Sequence, residues 1–143
     1  MPYEFLEEIA TADIAFKAWG KDLPETFIAA ADATMNVMVE NLEAIEPLEK
    51  RELRLKDDAL DMLLFNFLQE LIYYKDAEKL LLRVNKIDIR EEDRHHVLKG
   101  SALGEKLDPV RHHQRADVKA VTLHRFQLEK TERGWEALVI LDI

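Results

Sequence analysis

Cysteine is absent from the sequence, so it holds no disulfide framework, no thiolate metal site and no cysteine nucleophile. Glycine and proline are sparse, at 4 each in 143 residues. There is accordingly no glycine-rich phosphate loop, no nucleophile elbow and no low-complexity linker, and the metalloprotease helix motif is missing too. No apolar run approaches the roughly 18 residues that a membrane-crossing helix requires. Met1-Pro2-Tyr3-Glu4-Phe5 lacks the basic region and apolar stretch of a signal peptide. These absences lead us to expect a cytoplasmic protein that is not a self-sufficient enzyme. Positive charge is also short: 20 Lys and Arg stand against 29 Asp and Glu, a formal net charge of -9. Phosphate binding depends on clustered Lys and Arg, so broad contact with RNA or DNA is not expected. A partner protein or a cation is the better expectation.

What is present suffices for a core. With 48% hydrophobic residues in 143, the chain is expected to form one domain, residues 1–143. Tyr3 to Glu7 alternates apolar and acidic residues as a short strand does. Asp13 opens a second strand in which Ile14, Phe16 and Ala18 share a face. Leu23-Pro24-Glu25-Thr26 has the form of a helix start. Phe27, Ala31, Thr34, Met35 and Met38 continue it as an apolar stripe, predicted to end near Asn41. Arg51 to Lys56 alternates strictly and reads as a strand. Asp57-Asp58 is expected to cap the strongest helix, about residues 58 to 75, whose apolar face runs from Leu60 to Ile72. Leu80 to Ile89, Arg94 to Leu103 and Val118 to Lys130 are strand candidates, with Glu91-Glu92-Asp93 joining the first two. Gly104-Glu105 reads as a turn, opening a long polar loop to Asp117. The predicted fold is α+β, mostly antiparallel sheet packed against two long helices.

The final stretch, Trp135 to Ile143, is apolar and β-branched and reads as a buried strand that carries Asp142 and the Ile143 carboxylate to one place. Were Asp13 on a neighbouring strand, three carboxylates would repel and would need a cation or a shared proton. Oxygen-only ligands suit a hard ion, Ca²⁺ or Mg²⁺. The plainer alternative is that Asp13 caps a turn and Asp142 is solvated; spacing leaves both open. Lys119 lies opposite Val118 and Ala120 in a strand pattern, where it either contacts phosphate or carboxylate or simply faces solvent. His95-His96 and His112-His113 are sequence neighbours whose side chains diverge on a strand, so neither pair is a ready chelate. With Arg111 and Arg115, His112 and His113 form a locally basic stretch: a solvated loop, or a mobile one that touches a nucleotide or an RNA-handling partner.

Several segments resemble the archease family, in order and over residues 3 to 143. They are Tyr3-Glu4-Phe5-Leu6, Thr11-Ala12-Asp13, Ala18-Trp19-Gly20, Gly104-Glu105, Val118-Lys119-Ala120-Val121-Thr122 and Ile140-Leu141-Asp142-Ile143. The helix Leu63 to Tyr73 is similar to that family's long central helix. The resemblance implies a non-catalytic protein cofactor of the tRNA-splicing RNA ligase, promoting formation of the ligase's covalent guanylate and its repeated turnover. A stand-alone metal-dependent hydrolase is a third reading outside the resemblance, which implies as its own alternative a chaperone or specificity factor for a tRNA methyltransferase. The resemblance further implies a divalent ion, Ca²⁺ or Mg²⁺, held by Asp13, Asp142 and Ile143, and a functional Lys119. The chain departs from the family pattern at Ala10, where His is usual, in two extra residues before Thr11, and at Leu123, where an aromatic is usual.

Overall fold

The computed structural model describes residues 2–6 and 13–143. Ten elements follow in order: β1 (Tyr3–Phe5), β2 (Asp13–Gly20), α1 (Leu23–Met38), a 3-10 turn (Leu42–Ala44), β3 (Glu49–Asp57), α2 (Leu60–Glu78), β4 (Leu80–Glu92), β5 (His95–Lys106), β6 (Ala120–Thr131) and β7 (Gly134–Asp142). The strands form two antiparallel sheets, one of order β1-β2-β7-β6 and one of order β3-β5-β4. Each helix touches strands of both sheets, and one buried cluster draws side chains from all of them. This is the predicted α+β arrangement.

Local chemistry accounts for the ends of α1. Asp22 is its N-cap and accepts from the Glu25 backbone N–H at 2.9 Å, with proline in the first turn; such a cap satisfies a donor that the first helical turn leaves over. The buried alanines Ala29, Ala30, Ala31 and Ala33 let the helix backbone lie close to its neighbours. The helix stops at Met38, short of Asn41, because the next residues are recruited elsewhere. Val39 forms a bridge with Gln114, and the Glu40 N–H donates to the His113 carbonyl at 2.9 Å.

Four further boundaries differ from expectation. Asp57 and Asp58 do not cap α2; β3 runs on to Asp57, which pairs with His96, and the N-cap is Ala59 with no side-chain hydrogen bond. Asp57 instead accepts from the Ala59 N–H and the Asn66 amide. The helix then continues to Glu78 and ends at Lys79 in the left-handed region, φ 53°. The β4–β5 connection turns at Asp93 and Arg94, both with positive φ. Gly104-Glu105 is no turn: both residues lie inside β5, Gly104 between Glu49 and Leu82. A Cβ at Gly104 would meet the Leu81 carbonyl oxygen at 1.7 Å, so close strand approach is what requires glycine there.

Candidate functional site

The site rests on strand register. Asp13, the first residue of β2, stands directly opposite Asp142, the last of β7, and Asp142 in turn stands opposite Ala120, the first of β6. Directly opposed residues on antiparallel strands share a face with Cβ atoms about 4.5–5.5 Å apart. Strand parity separates two faces, although Ala15 and Ile140, on the same face as Asp13 and Asp142, are buried as well. Phe16, Ala18, Ala137, Val139 and Leu141 are buried in the shared core, which assigns Asp13 and Asp142 to the other face, where both are half-buried. The expectation that these two carboxylates are neighbours therefore holds. Ala10 and Thr11, and the two extra residues before Thr11, lie outside the described residues, as does the end of the strand expected to run to Glu7.

Lys119 joins the group through its backbone. Its N–H donates to the Asp142 carbonyl at 2.8 Å, just before β6 begins, while its side chain is exposed. Two polar side chains of α2 hold this segment. The Lys75 amine reaches Asp117 at 2.5 Å and the Val118 carbonyl at 3.0 Å. The Gln69 carbonyl oxygen accepts from the Val121 N–H at 2.8 Å. Burial pushes the Lys75 amine down, but hydrogen bonds and charges from Asp117 and Asp76 outweigh it and leave the pKa raised. Neither Lys75 nor Gln69 was singled out from sequence. Lys75 carried a legible signal, since it continues the apolar stripe three and four residues beyond Ile72 and Leu71, and a lysine in such a row must find a partner.

His112 is a correction. It does not lie open on a solvated or mobile loop: it is 1% exposed. Its Nδ1 accepts from the Asp108 N–H at 2.8 Å, which makes Nε2 the protonated nitrogen, and that N–H donates to Glu105 at 2.8 Å. The buried Glu105 carboxylate also accepts from the Glu46 N–H and from the Arg111 guanidinium. Arg111 above all holds the Glu105 pKa down, against burial, to about 2, with Glu46 and His112 adding to it. His112 and Arg111 thus fasten the loop after β5. His113 has an exposed side chain and contributes its backbone carbonyl to Glu40. Neither histidine is brought to the Asp13–Asp142 pair by strand pairing.

The side-chain carboxylates of Asp13 and Asp142 offer only oxygen donors. Among the described residues no group of three or more His, Cys, Asp or Glu side chains is arranged to hold a metal. Such a pair fits a hard cation that keeps most of its coordination for water or a second molecule's oxygens, as Mg²⁺ commonly does and as Ca²⁺, with six to eight ligands, also allows. Thr122, one row further along the same face of β6, has a buried hydroxyl without a hydrogen-bond partner among the described residues.

Comparison with known proteins bears on the family and the fold. The chain is 40% identical over 134 residues to Protein archease of Pyrococcus abyssi, covering 93% of this chain and 94% of that one. It is 38% identical over 142 residues to Protein archease of Methanosarcina mazei, covering 99% and 95%. The solution structure of Methanobacterium thermoautotrophicum protein 1598 superposes with a TM-score of 0.86 at 34% identity, over 99% of both chains. A Thermotoga maritima crystal structure, described as an archease and possible chaperone, shares the fold with a TM-score of 0.58 at 17% identity, over 94% of this chain and 93% of that one. No described helix is long and apolar enough to cross a membrane. Residues 3–143 match the Archease protein family (MTH1598/TM1083), and the chain belongs to that family.

Proposed function

We propose that this protein is a non-catalytic activator of the tRNA-splicing RNA ligase, acting in the cytoplasm with a divalent cation, Ca²⁺ or Mg²⁺, held by Asp13, Asp142 and Ile143. The observation that carries the reading is the register of β2, β7 and β6, which sets Asp13 against Asp142 and ties Lys119 to the same residue. A bound cation supplies positive charge where phosphate charge must be neutralised, and an exposed amine beside it does the same. Asp13, Asp142 and Ile143 would supply part of the six or more oxygens such a cation takes, and water or the ligase's nucleotide site would supply others. Multiple-turnover ligation of tRNA halves by a cognate ligase tests this. Addition of the protein should raise turnover, and a ligase indifferent to it would overturn the proposal.

The second reading, a chaperone or specificity factor for a tRNA methyltransferase, draws support from the description of the Thermotoga maritima protein as a possible chaperone. A packing surface needs no ion, so the two readings part at Asp13→Ala. That change leaves a chaperone active and silences a cation-dependent activator.

A further inference from the structure

The net charge of -9 is not evenly spread. On the β3-β5-β4 sheet, Leu53, Leu55, Ile87, Ile89 and Leu98 face the core. The alternate positions, Lys50, Arg54, Lys56, Lys86, Arg90 and Lys99, point the other way and are all exposed. Register confirms that they share the outer face: Arg54 stands opposite Lys99, Lys56 and Arg90 flank Val97, and Lys86 stands opposite Ser101. The anions there are Glu52 and Asp88, already paired with Lys50 and Arg90, with Asp88 also directly opposite Lys99, and Glu92 and Asp93 at the hairpin end, Glu92 opposite His95. Arg54, Lys56, Lys86 and Lys99 make no salt bridge among the described residues. A like-charge pair directly across two strands, as in Arg54 and Lys99, works against folding. A local conflict of that kind is expected where a surface serves binding rather than stability.

We infer that this face binds the phosphate backbone of double-stranded RNA. Residues two apart on a strand are about 6.6–6.8 Å apart and strands about 4.8 Å, so the four free cations form a compact array. The face has no aromatic residue on which unpaired bases would stack, as single-strand binders require. A-form duplexes are recognised through shape and phosphate contacts, for which point charges suffice. A protein partner fits less well, because interface cores are depleted in lysine and lysine dominates here. The face lies on the other sheet from Asp13 and Asp142, and the inference does not depend on the proposed function.

Fluorescence anisotropy with a fluorescein-labelled RNA hairpin, its stem about 16 base pairs, tests it in EDTA. Four neutralised phosphates give a slope of about -3.6 in log affinity against log salt, so raising KCl from 50 to 200 mM should weaken binding about 10²-fold. The triple variant Arg54→Gln, Lys56→Gln, Lys99→Gln should bind at least tenfold more weakly and lose most of that slope, at an unchanged or higher Tm. Asp13→Asn should bind as the parent does. Absence of saturable binding at 50 mM KCl, or a triple variant as tight as the parent, overturns the inference. Competition by polyglutamate as effective as by duplex RNA overturns it in favour of an acidic protein, and equal affinity for an unstructured strand removes the duplex assignment.

Discussion

Glu105→Gln is the sharpest test of how the loop after β5 is held. The carboxylate is 4% exposed and accepts from Glu46, Arg111 and His112 at once. Glutamine keeps the shape and one acceptor oxygen, but turns an amide donor toward partners that are themselves donors. Hydrogen bonds to a charged acceptor are worth about 1.5–3 kcal/mol each, and removing one partner of a buried ion pair costs about 3–5 kcal/mol. Arg111 is 41% exposed at its side chain and regains water when released, so the lower end applies, about 3 kcal/mol at pH 7. At about 3 °C per kcal/mol this lowers Tm by about 9 °C. The pH dependence is specific. The Glu105 carboxyl is lowered from an ordinary 4.5 to about 2 in the folded protein, so its contribution is complete above 4.5 and is lost as pH falls towards 2. Urea unfolding from pH 7 to pH 2.5 should show a constant gap between the two proteins down to about pH 5, narrowing below. A variant within about 0.5 kcal/mol of the parent at pH 7, the range of ordinary surface substitutions, would refute the reasoning, as would a gap that does not narrow in acid.

Asp13→Asn should reduce Ca²⁺ or Mg²⁺ affinity by an order of magnitude or more in isothermal titration, since it removes a charged ligand, while leaving Tm near that of the parent. Lys119→Ala keeps the backbone bond to Asp142 and removes only an exposed side chain, so stability should shift by less than about 0.5 kcal/mol while ligase stimulation drops. Gly104→Ala places a methyl against the Leu81 carbonyl and should destabilise the fold by about 1–3 kcal/mol, the range for overpacking, read by urea unfolding. A C-terminal tag that continues β7 converts the Ile143 carboxylate to an amide and should weaken cation binding; unchanged binding would restrict the ligands to Asp13 and Asp142.

Local pattern decided much of this molecule. The strict alternation of β3, the Pro24 start of α1 and the apolar stripe of α2 each depend on residues within a turn or two, and each appeared where the period placed it. Asp13 and Asp142 were legible as strand ends, and the resemblance to the archease family named them as partners. Their adjacency belongs to tertiary structure, because antiparallel pairing of β2 with β7 joins residues from opposite ends of the sequence. Element boundaries moved for the same reason. Met38 ends α1 because Gln114 takes up Val39, and β5 runs through Gly104 because β3 and β4 both pair with it there, β4 so closely that only hydrogen fits. His112 shows the limit most clearly. Beside Arg111 and Arg115 it has the composition of a solvated loop, and the Asp108 N–H and the Glu105 carboxylate, which the loop folds back onto, make it a buried anchor. A residue's neighbours in sequence set its local conformation, whereas burial and charge partners are set by whatever the fold packs against it.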